Sequence, residues 1–240
     1  ALACGGGTCV AVGLGVFSST DGLSWTPRAE GVVANLQAVT WTGNRFVAVG
    51  RGAAPIMTSP DGIDWAAIQL PAGTELDVVA ASGGVTVIAG YRFLSGESVV
   101  LRSEDGATWI PTALPGSGWV SAIVWAGDRF LAIGEDNRVL ASPDGASWSE
   151  VGQLPWTSRR RLAWNGSLLL AFWDGVWTSP DGVVWTERIP SQETSSYDIP
   201  WSAVWTGQKW VVNGTFTSAD GVSWKDWRFS LLAVATSGET

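Results

Sequence analysis

A seven-residue pattern, Ser-x-Asp-Gly-x-x-Trp, occurs six times in the chain, with its aspartates at Asp21, Asp61, Asp105, Asp144, Asp181 and Asp220. Successive aspartates lie 40, 44, 39, 37 and 39 residues apart. Four fixed residues at a near-constant period of ~40 mark repeated supersecondary units, stacked because no single unit can bury its own apolar face.

The chemistry of the pattern is local. In copies such as Ser59-Pro60-Asp61-Gly62, Pro sets φ at the second place of a β-turn and Gly accepts positive φ at the fourth. The Ser and Asp oxygens accept from nearby backbone amides and hold the turn shut. The Trp three residues after Gly opens the next strand and packs back on the turn, which makes each copy a hairpin.

A second element precedes each turn by roughly twenty residues, and Ala38 to Gly50 is its clearest copy. Ala122 to Gly134 follows it with Trp125, Gly127, Phe130 and Gly134 in register, and weaker copies carry Trp164 with Leu169 and Trp205 with Trp210. Each reads as strand, Gly turn, strand. The first of these strands is apolar on both faces (Val39, Thr40 and Trp41; Ile123, Val124 and Trp125), as expected of a strand buried on both sides. A short third strand, such as Ile56 to Ser59, and a fourth at the repeat Trp complete the unit. Radially arranged four-stranded repeats of ~40 residues make a β-propeller, so residues 1–240 read as one all-β domain of six blades. An open solenoid is the alternative.

The turns resemble the Asp-box (BNR-type) repeats of sialidase-like propellers, whose pattern is Ser-x-Asp-x-Gly-x-x-Trp. The likeness spans essentially the whole chain, with the variation that Gly directly follows Asp in all six copies. In that family the boxes are mainly structural and lie on the face opposite the ligand site. The resemblance therefore implies a scaffold role for the six repeat aspartates.

The ends carry an oddity. Ala1 to Gly6 and Ala233 to Gly238 both align with Ala38 to Gly43, so residues 231–240 hold a duplicated first strand. It is either surplus tail, a strand that closes the ring, a strand added to a neighbouring molecule, or a sign that the chain is a piece of a longer array. The alignment also sets Cys4 and Cys9 where Trp41 and Phe46 stand. Across a short hairpin two cysteines can form a disulfide if register brings their β-carbons together, and free buried thiols are the alternative. A disulfide points to an oxidising compartment. With a chain that starts at Ala1, this leads to the expectation of a secreted, processed protein or an excised fragment.

Composition narrows the chemistry. The chain has no histidine, which excludes Ser-His-Asp and Cys-His catalysis and histidine-ligated zinc. Its net charge is −8, which disfavours nucleic acid and anionic lipid as partners. Arg159-Arg160-Arg161 is the sole basic cluster and reads as a solvated loop entering a strand. No run approaches the ~18–20 apolar residues of a spanning helix, so membrane insertion is not expected. One aspartate per repeat lacks the oxygen spacing of a calcium loop, so no metal or cofactor is implied. Asn165-Gly166-Ser167 and Asn213-Gly214-Thr215 are glycosylation sequons and equally good turns.

Propeller ligands usually meet the loops entering each blade and the loops between second and third strands. The first set offers Trp119, Trp156, Trp201 and Tyr197; the second offers Arg51, Tyr91, Arg92, Glu135, Asp136, Arg138, Trp173 and Asp174. Aromatics flanked by carboxylates and arginines suit a sugar or a protein surface, whereas the plain alternative is tryptophan packed between blades. A sialidase-like site would need an arginine triad, for which Arg51, Arg92 and Arg138 are placed, with a Tyr-Glu pair. No family active-site motif surrounds them, and Arg188-Ile189-Pro190 resembles the family's Arg-Ile-Pro segment but stands near the end of the fifth repeat. Glu135 and Asp136 would serve hydrolysis only with a facing carboxylate at ~5–9.5 Å. The expectation is a non-enzymatic extracellular recognition module for carbohydrate or a protein surface, using Trp119, Trp156, Trp173, Trp201, Tyr91, Arg92, Glu135 and Asp136. The alternatives are a structural subunit assembled into a homo-oligomer or filament through the extra strand, and a sialidase-like glycoside hydrolase.

Overall fold

The computed structural model describes residues 1–29, 34–116, 118–134, 136–154, 161–172, 175–190, 202–212 and 216–226. They form a six-bladed β-propeller in which each blade is a four-stranded antiparallel sheet with strands in chain order. Blade one comprises Leu2–Gly5, Thr8–Val12, Val16–Ser19 and Thr26–Arg28, and blade two Ala34–Trp41, Phe46–Gly52, Ile56–Ser59 and Ala66–Ile68. Blade three runs Thr74–Ser82, Val85–Arg92, Ser98–Ser103 and Ile110–Pro111, and blade four Val120–Trp125, Phe130–Gly134, Arg138–Ser142 and Ser149–Gln153. Arg161–Trp164, Leu169–Phe172, Val176–Ser179 and Thr186–Ile189 make blade five, and Ala203–Trp205, Trp210–Val212, Phe216–Ser218 and Lys225–Asp226 blade six. The chain divides into two compact units, Ala1–Val151 and Gly152–Thr240.

The alternation of side chains along the second and third strands supplies two apolar faces per blade. In blade two, Phe46, Ala48 and Met57 pack on Val10, Val12 and Val16 of blade one, together with Trp41 and Trp65. On its other face Val47, Val49 and Ile56 meet Leu76, Ile88 and Leu101 of blade three, with Trp109. Blades three and four repeat the arrangement through Val87, Ala89 and Val100 against Phe130, Ala132 and Leu140. In the second unit Leu170, Phe172 and Val176 meet Trp210, Val212 and Phe216. Each Val, Leu, Ile, Phe or Met among these that is fully buried contributes about 1.5–3 kcal/mol. The first strands are less buried than their two apolar faces suggest; Ala163 and Trp164, for instance, are only half-buried. Each is the edge strand of its sheet, so the deep core falls on strands two and three.

The six repeat turns share one hydrogen-bond pattern. Each Ser hydroxyl donates to the Asp Oδ1 at 2.9–3.0 Å and accepts from the Gly amide at 2.8 Å. The same Oδ1 accepts the next two amides, as from Ala146 and Ser147 onto Asp144 at 2.9 and 2.8 Å. All six glycines have positive φ, between 69° and 80°. Five of the tryptophans donate their indole N–H back to the Gly carbonyl at 3.0–3.3 Å. The carboxylates of Asp21, Asp144 and Asp220 are pulled down to about 2, chiefly by the two backbone amides each accepts and then by the Ser hydroxyl. These carboxylates are engaged by their own turns.

Candidate functional site

Because the strands of a blade alternate in direction, the repeat turns between strands three and four lie at one end of each sheet. The start of strand one and the end of strand two lie at the other. A line of polar and aromatic side chains crosses blades two to four at that second end. Asn35 and Glu75 occupy the same repeat position near the start of strand one, and each pairs with the end of strand two, Asn35 with Arg51 and Glu75 with Tyr91.

The contacts run from blade to blade. The Arg51 guanidinium of blade two donates from Nε and Nη2 to Asp77 Oδ1 of blade three at 3.2 and 2.9 Å, and its Nε lies 3.3 Å from Glu75 Oε2. The Tyr91 hydroxyl donates to that same Glu75 Oε2 at 2.7 Å. Tyr91 then stacks on Trp119 of blade four, ring centroids 5.2 Å apart and planes 15° from parallel. Beside Arg51, the Gln37 amide donates to Asn35 Oδ1 at 2.9 Å. The bond to Glu75, followed by partial burial, raises the Tyr91 hydroxyl above its ordinary value, because a phenolate would face a carboxylate. Partial burial opposes the charge on Arg51, but the hydrogen bond and charge of Asp77 raise its pKa overall.

A β-bulge creates this geometry. Pairing shifts by one residue at Gln37 in blade two, Asp77 in blade three and Ser121 in blade four, leaving each of these residues extra in its strand. The facing residue must be glycine: a β-carbon on Gly90 would stand 1.9 Å from the Glu75 carbonyl oxygen and 2.7 Å from Leu76 Cα. The bulge thus presents Glu75 and Asp77 together toward Arg51 while Leu76 between them is fully buried.

Of the residues singled out from the sequence, the structure brings Arg51, Tyr91 and Trp119 into one cluster. Arg92, next to Tyr91, instead pairs with Glu97 at 3.1 Å across the exposed turn of its own hairpin. Asp136 binds the Arg138 guanidinium, which lowers the Asp136 carboxyl, and Arg138 also reaches Glu150 at 3.5 Å. Trp156, Trp173, Trp201, Glu135, Asp174 and Tyr197 lie outside the described residues, as do Arg159, Arg160 and the segment 231–240. Sequence reasoning missed Glu75, Asp77, Asn35 and Gln37. The available signal was a polar residue (Gln37, Asp77, Ser121) recurring after a large apolar one and opposite Gly50, Gly90 and Gly134. Among the described residues no group of three or more Cys, Asp or Glu side chains is arranged to hold a metal ion.

No protein-family model and no curated protein matches the sequence. Solved structures do match in fold. The chain is similar to YCF48 bound to D1 peptide, with 15% identity, a TM-score of 0.66, and coverage of 94% of this chain and 79% of that one. It is similar to YCF48 from Cyanidioschyzon merolae at 14% identity and a TM-score of 0.60, covering 92% and 80% of the two chains. A nidogen/laminin complex matches at 10% identity and a TM-score of 0.59, covering 75% of this chain and 74% of the other. What the chain shares with these proteins is the β-propeller fold. At such identities the likeness establishes the fold alone.

Proposed function

We propose that this propeller acts by binding and not by catalysis, and that it takes a segment of a protein partner on the end of blades two to four. The observation that carries the reading is the continuous line Arg51, Glu75, Asp77, Tyr91, Trp119, in which each side chain is fixed by one on a neighbouring strand or blade. Pre-formed polar groups beside an aromatic stack bind a ligand with little ordering cost, and Trp, Tyr and Arg are the residues that dominate protein interfaces. The net charge of −8 and the two carboxylates shared by one arginine favour a basic partner segment. Solved neighbours bound to a peptide and present in a laminin complex lend support to a protein partner. The arginines also favour binding over hydrolysis, since Arg51, Arg92 and Arg138 are each already matched by carboxylates. The Cys4–Cys9 disulfide supports an extracellular or otherwise oxidising location.

A second reading, carbohydrate, is favoured by the Tyr91–Trp119 stack beside the polar side chains of Arg51, Glu75 and Asp77. Probing the purified protein on peptide and glycan arrays in parallel separates the two. Basic peptides are expected to bind and to lose about tenfold or more in affinity with Trp119→Ala or Asp77→Asn. A signal confined to glycans and abolished by Trp119→Ala would establish the sugar reading instead, and turnover of that glycan would overturn the non-enzymatic one.

A further inference from the structure

Blade three carries an apolar hairpin tip beside the line of polar side chains. Its second strand ends at Arg92 and its third begins at Ser98, and between them Phe93 and Leu94 are 66% and 90% exposed. The neighbouring blades two and four belong to the same compact unit, and neither covers these two side chains. At the corresponding tips of those blades the residues are small or polar: Ala53, Ala54 and Pro55 in blade two, Asp136 and Asn137 in blade four. Of these, Ala54, Pro55 and Asn137 are buried.

The tip is held in shape by its backbone. The Arg92 amide donates to the Glu97 carbonyl at 2.8 Å, the Gly96 amide to the Arg92 carbonyl at 2.8 Å, and the Phe93 amide to the Gly73 carbonyl at 2.9 Å. The Arg92–Glu97 ion pair spans the same turn. Two apolar side chains this exposed add nothing to the core, yet a fixed turn presents them together. Adjacent exposed apolar groups of this kind mark contact surfaces.

Their position relative to the carboxylates says what they contact. The Phe93–Gly73 bond continues the strand pairing one residue beyond Arg92 and Thr74, so alternation sets Phe93 on the same face as Tyr91. Tyr91 in turn touches both Trp119 and Glu75. Among the described residues, Glu75 Oε2 and Asp77 Oδ1 accept hydrogen bonds, whereas Glu75 Oε1 and Asp77 Oδ2 accept none. Arg51 balances only one of the two negative charges. An acidic site with two open acceptor oxygens therefore lies next to an apolar tip.

We propose that the Phe93–Leu94 tip is the apolar half of the partner site, and that its occupant is an extended protein segment with a Lys or Arg two residues from a large apolar side chain. The cation takes Glu75 Oε1 and Asp77 Oδ2, and the apolar side chain lies on Phe93 and Leu94. Side chains two apart on an extended segment share a face at a spacing of ~6.5–7 Å, the same step that separates Tyr91 from Phe93 on the strand beneath. The inference rests on the reading of this end as a protein-binding site and narrows the partner's sequence. An anionic membrane, the other surface an exposed aromatic tip could enter, is repelled by the same carboxylates.

Selection of a random-peptide phage library on the purified chain tests it. Enriched peptides are expected to carry Lys or Arg two residues from Leu, Ile, Phe or Trp. Synthetic copies should lose about tenfold or more in affinity for the double variant Phe93→Ser, Leu94→Ser. Copies with the apolar residue replaced by Ser should bind variant and intact chain alike. Both substituted side chains are exposed, so an unchanged thermal midpoint verifies the fold of the variant. Basic peptides without an apolar residue at that spacing, or affinities indifferent to the tip, overturn the inference and leave the protein-binding reading standing. Enrichment of no peptide overturns both. Tip-dependent sedimentation with phosphatidylcholine–phosphatidylserine vesicles, without peptide enrichment, assigns the tip to a lipid surface instead.

Discussion

Cys4 and Cys9 face each other across the first hairpin with Cα atoms 4.0 Å apart, in the register that Trp41 and Phe46 hold in blade two. The aromatic pairs at this position stack edge to face or tilted, with centroids at 4.6 Å in blade two, 4.8 Å in blade four and 5.4 Å in blade six. A covalent link thus takes the place of ring packing in blade one. Replacing both cysteines with alanine is expected to cost about 2 kcal/mol, the loop-closure value for so short a ring. A urea midpoint lowered with unchanged slope is the readout. An unchanged midpoint would show that the hairpin is held without the link.

Gly90 is the hinge of the candidate site. Gly90→Ala drives a β-carbon into the Glu75 carbonyl, so the bulge at Asp77 must open or shift. The expected cost is about 1–3 kcal/mol of stability, the range for overpacking. Binding should fall with it, because Glu75 and Asp77 move away from Arg51. Retained affinity in the destabilised variant would separate the bulge from recognition.

The Arg51–Asp77 contact joins two blades at the surface, with the side chains 37% and 18% exposed. A double-mutant cycle with Arg51→Ala and Asp77→Ala should give a coupling of about 1 kcal/mol that shrinks at high salt. A coupling of zero would mean that the pair orients ligand groups without tying the blades together.

Acid should weaken the fold over a defined window. The repeat carboxylates of Asp21, Asp144 and Asp220 titrate at about 2 in the folded chain, against about 3.9 when unfolded. A folded value below the unfolded one means their stabilisation is complete above pH ~4 and is lost as pH falls toward ~2. Thermal midpoints should be flat in this respect from pH 7 to 5 and drop below 4. Asp144→Asn keeps the Oδ1 acceptor without the titration, so its acid limb should be shallower than that of the parent chain.

What was legible in the sequence follows from how local each signal is. Ser, Asp, Gly and Trp act on one another within seven residues, so the turns, the blade count and the strand order are all readable from spacing. Arg51, Tyr91 and Trp119 were found because loop ends are countable from those turns. Glu75 and Asp77 escaped because the first strand reads as buried on both faces, which leaves no open side for two carboxylates. The bulge opposite Gly90 interrupts that strand at Asp77, and its cause is a backbone approach between two strands that no single-strand pattern encodes. The contrast between Gly22, exposed, and Gly62, buried, is likewise not encoded locally, since the four fixed residues of the repeat are the same in both turns.

That equivalence makes the six glycines a measuring device for packing between blades. Gly22 and Gly62 have nearly the same backbone, with φ of 72° and 80°. An alanine at either one carries the same left-handed penalty, about 1–2 kcal/mol. At Gly62 the new β-carbon also stands 2.7 Å from Val10 Cγ2, 3.1 Å from Thr8 Cγ2 and 3.3 Å from the Phe46 ring, whereas at Gly22 it meets nothing. Gly62→Ala should therefore exceed Gly22→Ala by the cost of overpacking, about 1–3 kcal/mol. Equal losses at the two sites would mean that blades one and two yield around the intruding carbon, and that the repeat selects glycine for its φ alone.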